Sequence, residues 1–198
     1  MPDSLLARVR ELAAVADRII VGIAGPPGAG KTTLAAGLVA ALPSAVMVPM
    51  DGFHLANAEL HRLGRADRKG APDTFDADGY VALLRRLRTD RDTTVYAPSF
   101  DHVMNEPIAG SIPIPPDVRV IVTEGNYLLL WDAVPPLLDL TAYADVEDSA
   151  VRVTGLISRQ LAKGLSPEAA SEWVLRSDEA NAALVATTRP RADLIITR

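Results

Sequence analysis

Residues 25–32 read GPPGAGKT and match G-x-x-x-x-G-K-[ST] in full. Each residue type there has a use if the occupant is a polyphosphate. Gly25, Gly28 and Gly30, with Pro26, Pro27 and Ala29 between them, let the backbone curl so that several N–H groups point inward at phosphate oxygens. Lys31 supplies a point charge to the terminal phosphates, and the Thr32 hydroxyl, followed by Thr33, can ligand Mg2+. A helix starting near Lys31 adds its positive dipole end. The bland alternative is a chance glycine-rich turn. Against it stands the context, an apolar strand before the motif and a helix after it.

Two carboxylates follow at places where chemistry is expected. The run PMDGFHLAN, residues 49–57, closes a second strand. In an open α/β sheet, ligands bind beyond the carboxyl ends of the strands, which puts Asp51 beside the phosphate loop. A carboxylate facing a γ-phosphate is repelled by it, so it needs a reason to be there. One is a base that accepts the proton of an attacking hydroxyl; another is an N-cap for the next segment. His54, one turn on, is either part of the site or a half-buried loop histidine. Glu124, in VIVTEGNYLLL at residues 120–130, ends a third strand. It can hold Mg2+ through water, or it is a solvated charge at a strand end.

The elements that must position these groups alternate. Strands are expected at 18–25, 45–50, 118–125, 140–147 and 192–197, and helices at 31–42, 76–88, 150–162 and 167–187. Apolar strands separated by helices predict a mostly parallel sheet with helices on both faces, the three-layer α/β sandwich of P-loop NTPases. Residues 96–116 carry five prolines and read as a loop or small hairpin, too long for a plain connection and therefore a candidate for function. Residues 76–79, DADG, fit D-x-x-G but sit at a helix start, and the chain has no [NT]-K-x-D to read guanine.

With 198 residues, 48% of them apolar, the chain suits one domain, 1–198, with a sizeable core. A net charge of -5 argues against nonspecific nucleic-acid binding. The absence of cysteine removes disulfides and thiolate metal sites. The first 18 residues form a charged amphipathic helix pattern without the apolar core of a signal peptide, and no apolar run approaches the roughly 20 residues of a membrane span. The expectation is a cytoplasmic protein with a small-molecule partner, no nucleic acid and no membrane, a homodimer being left open.

GPPGAGKTT, MDGFH and TEGNYLLL, in this order and spacing, resemble the phosphoribulokinase/uridine kinase/pantothenate kinase group of P-loop kinases. KGAPDTFD (69–76), YAPSFDH (96–102) and RSDEANAALV (176–185) are similar to a bacterial nucleoside/nucleotide kinase-like subgroup that includes fructose-transport-system kinases. The resemblance implies Asp51 as catalytic base, Glu124 as the metal-side carboxylate and a mobile lid around Arg159, at about 156–166. The residues support a lid as well. Arg159 and Lys163 lie four apart on one helix face, and Ser166-Pro167 restarts a helix as cap and first position. The alternative is a pair of solvated surface cations. In the last helix Val174, Asp178, Asn181 and Val185 share one face, and an Asp and an Asn among valines should be hydrogen-bonded to something specific.

The acceptor is less legible. APDTFD resembles the HPDAFD box of uridine kinases, in which an Asp directly before the His holds the ribose hydroxyls; the matching position here is Gly70. Asp73, Asp101 and His102 are candidates to bind a polyhydroxylated acceptor, with turn and cap roles as alternatives. Phe53, Phe75 and Phe100 could wall it. The expectation is a kinase that uses ATP and Mg2+ to phosphorylate a hydroxyl of a sugar-like metabolite. Nucleoside kinase, pantothenate kinase-like enzyme and nucleotide-binding regulator are the alternatives.

Overall fold

The computed structural model describes residues 2–197. Helix α1 (Asp3–Val15) leads into β1 (Ile19–Ala24), α2 (Lys31–Ala40) and β2 (Ala45–Pro49). A short helix α3 (Asn57–Arg62), not expected from the sequence, precedes α4 (Ala77–Thr89). The proline-rich segment is an antiparallel hairpin, β3 (Val95–Asp101) with β4 (Glu106–Ile114). Then come β5 (Val120–Gly125), β6 (Leu140–Asp145), α5 (Ser149–Ala162), α6 (Pro167–Trp173), α7 (Glu179–Ala186) and β7 (Leu194–Thr197). The main sheet is parallel in the order β2-β5-β1-β6-β7.

Alternation along β1 explains the layers. Ile19, Val21 and Ile23 face one core with Leu5, Val9, Leu34 and Leu38 of α1 and α2. Ile20 and Ala24 face the other, with Tyr80, Leu84 and Leu87 of α4 and Tyr127. A strand apolar on both faces must be covered on both, and each fully buried Leu or Ile contributes about 1.5–3 kcal/mol. The base of the sheet is tied by Arg18, which is 8% exposed. Its guanidinium donates to the carbonyls of Val118 at 2.8 Å, Pro115 at 3.0 Å, Pro116 at 3.1 Å and Leu87 at 3.1 Å.

Two expectations change. The single helix expected at 167–187 is α6, a π-helical turn (Val174–Asp178) and α7 in succession. The extra residue in that turn shifts the face on which Asp178 lies, and such turns occur often at functional sites. Asp76 of DADG is the N-cap of α4, accepting from the Gly79 N–H at 2.8 Å, which accounts for its position without a nucleotide.

Candidate active site

The phosphate loop is built by close approach. Gly25 has φ +151, and a Cβ there would lie 2.6 Å from the Ala144 carbonyl oxygen on β6, so only glycine lets β1 leave the sheet at this point. Gly28, at φ +80, is covered by Arg152, whose Cγ would sit 2.9 Å from an added Cβ. The loop delivers the chain into α2 at Lys31, so the helix N-terminus, with Lys31 and Thr32, lies on the cleft.

Lys31 is 8% exposed. Its ammonium donates to Pro26 O at 3.0 Å and to Asn126 Oδ1 at 2.7 Å. Burial lowers its pKa, opposed by the charges of Glu124 and Asp51. Thr32 Oγ1 donates to Glu124 Oε1 at 3.0 Å. The sheet register brings this about: Glu124 pairs with Ile23 on one side and Pro49 on the other, so it ends the middle strand of three. At 5% exposure it is no solvated strand-end charge. Burial pushes its carboxyl above the usual range and the Asp51 charge adds to this, while Lys31 and Thr32 act the other way. Next to it, Thr123 Oγ1 donates to Val48 O at 2.7 Å, so the Tyr80 hydroxyl, 2.6 Å away, donates to Thr123. That buried chain fixes the strand end that carries Glu124.

Asp51 follows β2 in a 3-10 turn (Met50–Phe53). It caps nothing: α3 begins after Ala56, without a side-chain cap. Among the described residues its carboxylate takes part in no hydrogen bond or ion pair, and it lines the same cleft as Lys31 and Glu124. His54 fixes the turn, its Nδ1 donating to the Asp51 carbonyl at 2.8 Å. The imidazole lies against Phe75 and Phe100, with centroids 4.0 and 4.6 Å away. Burial lowers its pKa, while the Asp51 charge acts the other way.

The cleft measures about 900 Å³ and runs from the loop to the hairpin. His54, Phe75 and His102 line it, as does Phe100. Phe53 packs instead on Tyr80 at 5.2 Å. Asp73 and Asp101 lie outside the lining. The 3-10 turn Pro72–Thr74 aims Asp73 at Arg68, 2.7 Å away, and Arg65, 3.4 Å away. Asp101 accepts from the N–H groups of Val103 and Met104 at 2.8 and 2.9 Å and so closes the hairpin turn. These contacts hold both carboxylates in turns outside the cleft lining.

Arg159 on the last turn of α5 and Lys163 at its C-cap stand at the cleft rim, exposed. Gly164 at φ +93 ends the helix, and Ser166 Oγ accepts from Ala169 N at 3.3 Å to start α6. Sequence reasoning missed Arg152, Asn126 and Lys69. Arg152 is 7% exposed, donates to Pro27 O at 3.2 Å and pairs with Glu179. Lys69 donates to Asn57 Oδ1 and Asn105 O, both at 2.6 Å, and sits 5.3 Å from the Phe100 ring centroid. It pins the hairpin to α3. A lone cation or amide in a loop carries no periodic signal; only the neighbouring motif wording marked Asn126 and Lys69.

Residues 20–198 match the family model described as the phosphoribulokinase/uridine kinase family. The chain belongs to the phosphoribulokinase/uridine kinase family. A Schizosaccharomyces pombe protein provisionally named a uridine kinase is 36% identical over 98% of this chain and 89% of its own length. A Mycolicibacterium vanbaalenii pantothenate kinase is 32% identical over 65% of this chain but only 45% of its own length. A Silicibacter structure provisionally described as a fructose transport system kinase superposes with a TM-score of 0.88, at 36% identity over 98% of this chain and 97% of that one. The α/β P-loop kinase fold and membership of a kinase family follow. Among the described residues no helix is long and apolar enough to cross a membrane.

Proposed function

We propose that this family member transfers the γ-phosphoryl of ATP, with Mg2+, to a hydroxyl of a small sugar-like metabolite. The observation that carries the reading is Asp51, a carboxylate without hydrogen-bond partners among the described residues, on the cleft that also holds Lys31 and Glu124. A protein that only bound nucleotide would gain nothing from placing that repulsive charge beside the phosphate loop. When bound, ATP with its Mg2+ supplies the phosphoryl group and a cation that neutralises its charge.

The residues fit that role. No cluster of three or more His, Cys, Asp or Glu able to hold a metal exists among the described residues. Thr32 Oγ1 and the Glu124 carboxylate are a hard-oxygen pair, the partial donor set that Mg2+ takes when phosphates complete its shell. Lys31 exchanges its Pro26 and Asn126 bonds for phosphate oxygens. Asp51 takes the proton of the attacking hydroxyl. Arg159, on the rim, folds over the phosphates, adding charge and excluding water. The acceptor occupies the wall made by His54, Phe75, Phe100 and His102.

Gly70 favours a sugar-like acceptor over uridine or cytidine, because the ribose-binding carboxylate of the uridine kinase box has no counterpart there. The test is kcat/KM by coupled ADP release for fructose, uridine, cytidine and pantothenate side by side. Turnover is expected on the sugar. Uridine or cytidine turning over far faster would refute the acceptor class and leave Asp51 as base untouched.

A further inference from the structure

Asp178 is the residue in the cleft that the fold explains least. It closes the π-helical turn between α6 and α7, lines the cleft, and buries its Oδ2 with no hydrogen-bond partner among the described residues. Its carboxylate caps no helix and makes no ion pair within 4.0 Å among the described residues. Of the cations around it, Arg152 is committed to Glu179 and to Pro27 O, and Lys163 and Arg159 lie beyond ion-pair distance. A buried acceptor without a donor lowers stability, and such an atom calls for an explanation.

The surroundings say what would satisfy it. One turn on, Asn181 Nδ2 donates to Gly70 O at 3.4 Å, and the Tyr127 hydroxyl donates to the same carbonyl at 2.5 Å. These two bonds fix the Gly70 carbonyl beside the cleft that Asp178 also lines. Beyond Gly70 there is open space: a Cβ built on it meets nothing within 4 Å. The charges that act on Asp178 from neighbouring segments are Lys163, Arg152 and Arg159, with Glu179 opposing them. A positively charged ligand would be repelled by those three cations. A neutral hydroxyl donor would not.

We propose that Asp178 is a specificity-determining residue that accepts a hydrogen bond from a second hydroxyl of the acceptor, one hydroxyl being presented to Asp51 and another to Asp178, so that the substrate class is a neutral compound with at least two hydroxyl groups. This rests on the kinase reading above. It places a substrate-binding carboxylate at the end of the π-helical turn, just before α7, in the cleft that Gly70 also lines.

The experiment uses the full chain with Asp178→Asn and Asp178→Ala, and reads two things. Thermal melts without ligand come first. A residue kept for a ligand costs the empty protein stability, so both variants should melt at or above the wild-type temperature. Coupled ADP release with fructose, ribitol and glycerol as probes comes second. In Asp178→Ala the acceptor KM should rise by about 10- to 100-fold, the value of one hydrogen bond to a charged group, and in Asp178→Asn, whose amide oxygen still accepts but carries no charge, by less, while the KM for ATP stays within about 3-fold and glycerol, with a shorter reach, loses less than ribitol. Variants that melt well below wild type make Asp178 a fold residue and overturn the proposal. A raised KM for ATP with an unchanged acceptor KM overturns it too, and makes Asp178 a latch for Lys163 and Arg159. A wild type inactive on every probe defeats the kinase reading with a sugar-like acceptor, and this proposal with it; an active wild type with unchanged variants defeats only the proposal.

Discussion

Arg152→Ala removes the side chain that ties the phosphate loop to the helical layer. The side chain is 6% exposed, donates to Pro27 O at 3.2 Å and pairs with Glu179, which is itself 33% exposed. A hydrogen bond to a charged group contributes about 1.5–3 kcal/mol when its partner is buried, so two such bonds set an upper figure near 3–6 kcal/mol. Water re-solvates Glu179 once it is released, and the desolvation cost of burying the guanidinium is recovered as well. About 2–3 kcal/mol remains. For a chain of this size 1 kcal/mol moves Tm by about 2–4 °C, so Arg152→Ala should melt about 5–10 °C lower by circular dichroism. Because one of the lost bonds ends on the loop carbonyl, ATP titrated calorimetrically should bind about 10-fold more weakly. Glu179→Gln separates the two effects: the amide oxygen still accepts from Arg152 and the Pro27 bond is untouched, so Tm should fall by no more than about 3 °C and ATP affinity should hold within about 2-fold. An Arg152→Ala protein with wild-type Tm, or two variants with equal ATP affinity, would refute the tether.

Lys31→Met should abolish turnover, by about 1,000-fold or more, yet leave Tm within about 3 °C, since the burial cost of the ammonium offsets its two hydrogen bonds; an active variant in the ADP-release assay would defeat the phosphate-loop reading. Arg159→Ala should lower kcat by about 100-fold or more with little change in Tm or ATP binding, because the side chain is exposed and makes no hydrogen bond or ion pair among the described residues; an intact kcat makes it a surface residue. Burial raises the Asp178 carboxyl from 3.8 to about 6, so the folded chain holds that proton more tightly than the unfolded one, and the contribution of this group to stability declines as pH climbs from about 4 to about 6. Urea midpoints measured across that window should decline less in Asp178→Asn than in the wild type, and parallel curves would mean the group is not so perturbed.

The sheet was legible because its strands are apolar on both faces, as the IIVGIA of β1 shows, and the phosphate loop because its glycines answer backbone demands that no other residue meets, as Gly25 does against Ala144. Lys31, Thr32 and Glu124 could be brought together on paper, since strand ends in a parallel sheet share one edge. The acceptor wall could not. Asp73 and Asp101 have the right chemistry and the wrong direction, and direction is set by a 3-10 turn and a hairpin bend whose neighbours are far away in sequence. The π-helical turn at Asp178 has no periodic signature, because one extra residue in a helix leaves its composition unchanged. Arg152 escaped notice because its partners, Pro27 and Glu179, come from opposite ends of the chain.

The most direct test of the account is Asp51→Asn, measured for ATP affinity and for kcat with whichever hydroxylated acceptor the wild type turns over. The amide keeps the shape of the turn but cannot take a hydroxyl proton. ATP binding within about 3-fold of wild type together with a kcat lower by about 1,000-fold is the predicted result. Near-wild-type kcat would contradict it, leaving Asp51 without a catalytic part and making Glu124 the first place to look for the base.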